Sequence, residues 1–258
     1  MIGIAIITFN REERFEYILK SILKHAPSEC HIVVVNDGEP YGTTMPSVVT
    51  RINNGTQRGV AYSKNKGIYA LEKLGCENIF IVEDDIEVLS PNVWDAYIDA
   101  AEMTGIHHFN FQHSLRNDES PRYVHDYASE NVRVGFYRSP EGAFGYFNVG
   151  LFKYGYFDTG YFNAFEHIDL EYQLDKEGLA PPFWFFPDIM GSDRLLRSVI
   201  EGDDDSTITN KPGYQENWQS SAQHFVAKHK RFTNQIPDKT DEDLVARLDF
   251  LYKNYKRK

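Results

Sequence analysis

The first third of the chain alternates short β-branched apolar runs with segments of helical periodicity. Residues 2–8 read IGIAIIT. In the segment that follows, apolar side chains recur at helical spacing at Phe15, Ile18, Leu19 and Ile22. The same order then recurs, with the runs HIVVVN and NIFIV on either side of a second helical segment. Such an alternation of buried strands and amphipathic helices predicts a mostly parallel sheet with helices on both faces.

Polar residues follow three of the predicted strands, at residues 8–11, 36–38 and 83–85. In open sheets of this type, ligands bind in the crevice at the carboxyl ends of the strands. We therefore expect these three groups to converge on one rim of the sheet.

The third group, in the stretch IFIVEDD, places Glu83, Asp84 and Asp85 side by side. Adjacent carboxylates repel one another unless a cation or solvent compensates them. Mg²⁺ and Mn²⁺ prefer oxygen ligands, and Mg²⁺ typically takes one or two carboxylates together with substrate phosphates. The triplet therefore indicates part of a divalent-metal site, and the alternative is a solvated acidic turn.

Composition narrows the classes of function. The 258-residue chain has no apolar run of about 18 residues, and its first residues, MIGIAIITFNREER, lack the features of a signal peptide. Two cysteines without a CxxC motif indicate a reducing compartment, so we expect a cytoplasmic protein with no transmembrane segment. A net charge of −11 weighs against nonspecific binding to nucleic acid.

The second half of the chain is rich in aromatic residues and glycine, a composition that suits either a shallow sugar-stacking pocket or an ordinary core. Residues 201–213, EGDDDSTITNKPG, are polar and aperiodic, which predicts a mobile loop. Thr240 and Asp243 predict a capping box at the start of a C-terminal helix, and Asn10 with Glu13 resembles another at the first helix.

Four motifs over residues 2–90 resemble, in their order, the nucleotide-binding half of family 2 glycosyltransferases, which have the GT-A fold. The motifs read IAIITFNR, VVVNDGE, RGVAYSKNKGIYA and IFIVEDD. The resemblance implies one Rossmann-like α/β catalytic domain over residues 1–258, with a mostly parallel central sheet flanked by helices. Within it we expect a nucleotide-sugar-binding half at 1–105, an acceptor-side subregion at 106–215 and C-terminal helices at 216–258.

The resemblance also implies the residues that bind the donor. Those that match the family's nucleoside-binding positions are Thr8, Phe9, Asn10, Arg11 and Asp37. The family's Arg-Asn pair, which contacts the nucleotide, is replaced here by Lys64 and Asn65. Lysine keeps the charge of arginine but not its planar geometry.

The acidic triplet matches the DxD motif of the family, with Glu83 in the first position. The resemblance implies that Asp85 binds Mn²⁺ or Mg²⁺ directly and that Glu83 contacts the ribose or the metal through water, with Asp84 beside them at the nucleotide. Other members of the fold add a His or Asp from the C-terminal third as a further ligand. The candidates here are His224, which we prefer, and Asp193.

The segment GLFKYGYFDTGYFNAFEHIDLEYQL resembles the family's acceptor-side segment, which leads to an acidic motif at the start of a helix. Glu166, Asp169 and Gln173 fall on one face of that predicted helix. The second acid of the motif, usually the catalytic base of inverting members, is His167 here. Three assignments stay open: His167 is the base, Glu166 or Asp169 takes that role, or the enzyme is a retaining one.

Together these resemblances imply transfer of a hexose or pentose from a nucleotide diphosphate sugar, with UDP as the expected nucleotide, to an acceptor hydroxyl. The acceptor could be a glycan, a lipid-linked saccharide, a protein or a modified nucleic-acid base, and the net acidity weighs against the last. One alternative is a nucleotidyltransferase on a related sheet, although the first loop, TFNR, is not a Gly-rich phosphate loop. The other is a nucleotide- or sugar-binding module without catalysis, which the histidine at position 167 favours.

Overall fold

The structure is a computed structural model that describes residues 1–112, 120–200 and 212–256. Within these ranges the strands are β1 (Ile2–Thr8), β2 (Cys30–Asn36), β3 (Val49–Asn53), β4 (Asn78–Glu83), β5 (Ile86–Val88), β6 (His108–Asn110), β7 (Tyr123–Tyr127), β8 (Val132–Tyr137), β9 (Phe144–Asn148), β10 (Phe186–Ile189) and β11 (Leu196–Ser198). The α-helices are α1 (Glu12–His25), α2 (Val60–Lys73), α3 (Val93–Thr104), α4 (Glu166–Lys176), α5 (Tyr214–His229) and α6 (Asp241–Tyr255). Residues 201–211 of the predicted loop lie outside the described residues.

The central sheet has six strands in the order β3-β2-β1-β4-β9-β6. Strands β3, β2, β1 and β4 run parallel, and β9 runs antiparallel to both of its neighbours. The register pairs Thr8 with Asn36 and Ile7 with Glu83, so the carboxyl ends of β2, β1 and β4 lie at the same edge. The predicted mostly parallel sheet and its polar rim are therefore confirmed.

Both faces of this sheet are covered, as the apolar runs of the strands predict. In β1, Ile4 and Ile6 pack into one core cluster with side chains of α1, α3 and α6, while Ala5 and Ile7 pack into a second cluster with α2 and α4. The alternation of side chains along a strand explains this division. Two layers of helices thus fix the sheet whose rim carries the polar residues.

The described residues also form two smaller sheets. Strands β10, β8 and β7 form an antiparallel sheet, and β11 pairs antiparallel with β5. The second pairing places Ser198 opposite Ile86, directly after the acidic triplet. It therefore brings a segment from the second half of the chain to the rim of the central sheet.

The helix ends match the sequence expectation in one case and not in the other. Thr240 accepts a hydrogen bond from the backbone N–H of Asp243, which confirms the predicted capping box of α6. The prediction for α1 is wrong, because Arg11 occupies the N-cap position without a side-chain cap, and Asn10 has a left-handed backbone (φ 53°).

Among the described helices, none combines the length and apolar character needed to cross a membrane.

A buried carboxylate ties α3 to the smaller antiparallel sheet. Asp188, in β10, accepts hydrogen bonds from the hydroxyls of Tyr97 and Ser192 (both 2.7 Å) and from the backbone N–H of Gln112 (3.0 Å). Burial raises the pKa of Asp188 to about 7, against the opposing effect of these donors. Because the carboxyl group is enclosed, the loss of a donor leaves it with a desolvation cost that water cannot compensate.

We expect Tyr97→Phe to lower the free energy of unfolding by about 1–3 kcal/mol, since it removes a buried hydrogen bond to Asp188. The matched control is Tyr17→Phe, which removes an exposed hydrogen bond to Glu87 (2.6 Å) and should change stability by less than about 0.5 kcal/mol. Urea denaturation of both variants measures the difference. Equal effects of the two substitutions would contradict a structural role for Asp188.

Candidate functional site

A pocket of about 270 Å³ opens at the carboxyl ends of β1 and β4. Side chains from both halves of the chain form its wall. Of the residues that the sequence indicates, those that line it are Thr8, Phe9, Arg11, Asp37, Glu83, Asp84, Asp85 and Glu166. The structure thus brings the first loop, the acidic triplet and the start of α4 together around one cavity.

Asp84 links the ends of β1 and β4 from inside the protein. Its carboxylate accepts a hydrogen bond from the Thr8 hydroxyl (2.6 Å) and forms an ion pair with the Arg11 guanidinium. Tyr41 supports this arrangement, because its hydroxyl lies 3.0 Å from the Thr8 hydroxyl and accepts from the backbone N–H of Arg11 (3.1 Å). Burial raises the pKa of Asp84, and Arg11 and Thr8 oppose that rise. The acceptors of Asp84 are therefore engaged by protein groups.

Asp85 differs from its neighbour although both are buried. Its Oδ1 atom has no hydrogen-bond partner in the described part of the chain, and its Oδ2 atom lies 3.8 Å from the Arg11 guanidinium. Burial, followed by the charges of Glu83 and Asp84, raises the pKa of Asp85 to about 7. The positive charges of Arg11 and Arg14 oppose this rise and compensate the carboxylate only in part.

A divalent cation fits this environment, because it would add positive charge beside Asp85 and give a partner to the Oδ1 atom, which has none among the described residues. Asp85 and Glu83 are the pocket carboxylates that could hold it. The described residues contain no cluster of three or more His, Cys, Asp or Glu side chains that could hold a metal by themselves. That donor set matches a site at which one or two carboxylates share the cation with a phosphorylated ligand.

Asp37 holds the loop that precedes α2. Its carboxylate accepts hydrogen bonds from the backbone N–H groups of Arg58 (2.9 Å) and Gly59 (2.8 Å) and from the side-chain amide of Asn54 (2.7 Å). Val60, the next residue, donates its backbone N–H to the carbonyl of Phe162 (2.9 Å). The loop before α2, which contributes Gln57 to the pocket wall, is therefore held in place by Asp37 and by the segment before α4.

Lys64 lies behind the pocket and not in its wall. Its side chain is fully buried, and its ammonium group contacts His167 Nε2 (2.6 Å), Glu83 (2.8 Å), the carbonyl of Gly142 (3.1 Å) and Glu166 (3.3 Å). Burial alone would lower the pKa of Lys64, but the two carboxylates outweigh it and raise the pKa above its usual value. The structure therefore does not bring Lys64 to the cavity as a direct ligand contact.

Asn65, the neighbour of Lys64, is also kept away from the cavity. Its side chain donates to the carbonyl of Phe157 (2.7 Å) and accepts from the same residue's N–H (3.1 Å). Both contacts are to the backbone of the second half of the chain. Asn65 therefore fastens α2 to that segment.

Glu166 is the residue of the acidic helix start that lines the cavity, and its side chain is about 10% exposed. It is the first residue of α4, where the helix dipole favours a negative charge. The preceding residue, Phe165, has a left-handed backbone (φ 72°), which is uncommon for an aromatic residue. The Phe165 ring is held in a core cluster with Tyr172 and Phe225. This packing fixes the point at which Glu166 enters the pocket.

His167 does not line the cavity. Burial lowers the pKa of its imidazole well below the usual value, and the charge of Lys64 lowers it further. Its Nδ1 atom is buried and has no partner among the described residues. His167 is therefore a neutral group, and its Nε2 atom faces the Lys64 ammonium.

Asp169 faces α5 and not the cavity. It accepts hydrogen bonds from Gln173 (2.6 Å), from His229 (2.6 Å) and from Lys228 (2.8 Å). The pair with Gln173 confirms the predicted helical face. The expectation that this face meets a cleft is not met at Asp169, which is fully buried and paired with Lys228 and His229 of α5, whereas Glu166 of the same face lines the cavity.

Three further sequence candidates lie outside the pocket wall. His224 lies 3.1 Å from Asp158 and packs edge-on against the ring of Tyr161. Asp193 is exposed in a short 3-10 helix, and Asn10 is exposed beside the pocket loop. The structure does not bring His224 or Asp193 to Asp85.

The cavity also contains residues that the sequence did not indicate, among them Gln57, Asn163, Ser198 and Tyr214. Ser198 reaches the rim through the pairing of β11 with β5, and Tyr214 through the start of α5. Ser198 and Tyr214 are far in sequence from the first loop and the acidic triplet. Local periodicity therefore cannot predict that they line the same cavity.

No family model matches this chain, and no curated protein sequence matches it. Solved glycosyltransferase structures do match it. The mannosyltransferase PcManGT from Pyrobaculum calidifontis, in complex with GDP-Man and Mn²⁺, is similar over 97% of this chain and 68% of its own, with a TM-score of 0.54 and 16% identity. S. aureus TarS 1-349 in complex with UDP-GlcNAc is similar over 99% and 73%, with a TM-score of 0.52 and 12% identity. GalNAc-T7 with UDP, GalNAc and Mn²⁺ is similar over 99% and 55%, with a TM-score of 0.56 and 9% identity.

These likenesses establish the fold. The chain has the α/β architecture of GT-A glycosyltransferases, with a mostly parallel central sheet flanked by helices. The expected fold class is therefore confirmed, while membership of family 2 stays a prediction.

Gly59 provides a test of the contact between the loop before α2 and the segment that contains Phe162. Its backbone has a φ of +95°, and a Cβ atom there would lie 2.6 Å from the carbonyl oxygen of Phe162. We expect Gly59→Ala to destabilise the protein more than Gly55→Ala, whose φ is +75° but whose Cβ would have no atom within 4 Å. The control substitution carries only the cost of a left-handed alanine, about 1–2 kcal/mol. Urea denaturation distinguishes them, and equal losses would show that the Gly59–Phe162 approach does not constrain the loop.

Proposed function

We propose that this protein is a metal-dependent glycosyltransferase that moves a sugar from a nucleotide diphosphate donor, with UDP as the nucleotide, to an acceptor hydroxyl. The observation that carries the proposal is the buried Asp85 carboxylate, which lines the rim pocket of a GT-A fold and whose Oδ1 atom has no hydrogen-bond partner among the described residues. A divalent cation bound there would offset the negative charge of both Asp85 and the donor diphosphate. Structures similar to this chain contain GDP-Man with Mn²⁺ or UDP with Mn²⁺, which supports the same ligand class here.

Asp85, with Glu83 beside it, would hold Mn²⁺ or Mg²⁺. Bound there, the cation would supply Lewis-acid charge opposite the leaving phosphate. Asp84 keeps the ends of β1 and β4 together through Thr8 and Arg11, and so fixes the pocket that holds the donor. Preorganised groups of this kind stabilise developing charge without reorganising during the reaction.

Glu166 is the proposed general base, because it lines the cavity while His167 and Asp169 do not. In the proposed reaction, the acceptor oxygen forms a bond to the anomeric carbon of the sugar, and the bond from that carbon to the diphosphate oxygen breaks. The electron pair of the broken bond leaves with the diphosphate, and the acceptor proton goes to the Glu166 carboxylate. This assignment corresponds to an inverting reaction.

A hexose or a pentose is compatible with the proposal, and the acceptor is a glycan, a lipid-linked saccharide or another hydroxyl compound. Tyr214 lines the cavity at the start of α5, where an aromatic ring can stack on a sugar face. The net charge of −11 disfavours a nucleic-acid acceptor.

The second candidate is a nucleotide- or sugar-binding module without turnover. The observation in its favour is that His167, at the position of the usual family base, is buried and held against Lys64. Glu166 favours the transferase, because it offers a carboxylate at the cavity wall one residue away.

We expect Mn²⁺ to tighten the binding of UDP by about tenfold or more, and Asp85→Asn to abolish that gain, since the amide cannot supply the negative charge. Isothermal titration calorimetry with UDP, in the presence and absence of MnCl₂, measures this effect. Asp193→Asn and His224→Asn are matched controls outside the pocket, and both should keep the gain. A full Mn²⁺ effect in Asp85→Asn would exclude this aspartate as the ligand.

We expect Glu166→Gln to lower turnover by about 10²–10⁴-fold with little change in UDP binding, because it removes a general base but no donor contact. Glu177→Gln, an exposed carboxylate at the end of the same helix, is the control and should keep wild-type turnover. The assay is UDP release from a panel of UDP-sugars with Mn²⁺, with and without saccharide acceptors. Wild-type turnover in Glu166→Gln would reassign the base, and saturable UDP-sugar binding without any release by the wild type would favour the binding module.

A further inference from the structure

We propose that Lys64 is a positioning residue that holds the Glu166 carboxylate in place for proton transfer, with Glu83 as its anchor on the donor side. The inference rests on the proposed function and deepens it, because it assigns a role to a side chain that never reaches the cavity. Lys64 belongs to α2, whereas Glu166 begins α4 and Glu83 ends β4. One ammonium group therefore joins three elements of the pocket wall.

The geometry of the ammonium group is that of a shared hub. A lysine carries three N–H donors, and four acceptors surround Lys64 at 2.6–3.3 Å: His167 Nε2, Glu83, the Gly142 carbonyl and Glu166. Both carboxylates line the cavity, but the ammonium between them is fully buried. A displacement of Lys64 would therefore be transmitted to both carboxylates.

The free-energy cost of burying the Lys64 ammonium group indicates that this side chain does more than fill space in the core. An ammonium group taken out of water loses several kcal/mol of solvation, which close opposite charges must offset. A buried apolar side chain would fill the same space without that cost. The charge of Lys64 is instead offset by two carboxylates that line the pocket, Glu83 and Glu166. The desolvation cost of the ammonium group is therefore compensated only while both carboxylates stay close to it.

The histidine at position 167 has an explanation in the same hub. Because the Lys64 ammonium donates to Nε2, the neutral imidazole carries its proton on Nδ1. A carboxylate at this position would place a third negative charge against one ammonium group. The imidazole accepts the hydrogen bond without adding charge, which leaves Glu83 and Glu166 as the charged partners of Lys64. His167 is thus a second positioning residue, because its Nε2 atom accepts a hydrogen bond from the Lys64 ammonium group and so orients it.

A double-mutant cycle tests the proposal, with UDP release from UDP-sugars in the presence of Mn²⁺ as the assay. We expect Lys64→Met to lower kcat about 10–100-fold, because the base loses its orientation. The affinity for UDP and Mn²⁺ by calorimetry should fall by less than about tenfold, because Glu83 loses its anchor while Asp85 is not a partner of Lys64. In the Glu166→Gln background, Lys64→Met should change kcat by less than about threefold, since the group through which it acts is already gone. Multiplicative losses in the double variant would overturn the proposal, as would a loss of UDP binding without a loss of kcat.

The matched control is Lys66→Met, on the same helix, where the ammonium stacks over the ring of Tyr62 at 5.4 Å. It should keep kcat within about twofold, as surface substitutions usually do. If Lys64→Met does not fold, Lys64→Gln replaces it in the cycle, since its amide can still donate to an acceptor of the hub but carries no charge.

A crystal structure of the Lys64 variant supplies a readout that is independent of activity. We expect the Glu166 carboxylate to leave its position in the wild type, and an unmoved Glu166 would overturn the proposal even if the wild type released no UDP. Absence of UDP release from the wild type would count against the proposed function instead. The two failures are therefore distinguishable.

Discussion

The pocket depends on how three adjacent carboxylates are compensated at one rim of a parallel sheet. Asp84 is neutralised from inside by Arg11 and Thr8, and Glu83 is paired with the buried Lys64. Asp85 has an oxygen without a partner among the described residues. Like charges this close cannot all be ionised at low cost unless each has its own partner. Close protein partners therefore compensate Asp84 and Glu83, whereas Asp85 is compensated only in part.

The fold could be predicted from the sequence because its signals are local. The β-branched run of residues 2–8 and the helical spacing after it indicate strand and helix independently of the rest of the chain. Polar residues follow β1, β2 and β4, and the parallel register places the carboxyl ends of these strands at one edge of the sheet. Asp85 and Glu166, which the resemblance indicates as site residues, line the same cavity, and their roles stay predictions.

The side chains that the structure does not bring to the cavity are those whose partners are distant in sequence. Lys64 was expected to contact the nucleotide, but it is buried under Glu83 and Glu166. Asp169 was expected to face a cleft, but Lys228 and His229 of α5 cover it. A helical wheel gives the direction of a side chain on its own helix and does not reveal which element packs against that face. Motif order therefore predicts the neighbourhood of a residue better than its role.

At position 167 the chain has a histidine where the motif that it resembles has an acid, and the contacts of this histidine are compatible with the proposed chemistry. The motif supplies two neighbouring positions at the start of α4, of which the first faces the cavity and the second faces the Lys64 ammonium. Because the second position is itself buried and faces an ammonium group, it needs a hydrogen-bond acceptor more than it needs a charge. A neutral imidazole satisfies that requirement, and burial keeps it neutral by lowering its pKa. The negative charge that the proposed chemistry requires is then held by Glu166, at the position where the helix dipole favours it most.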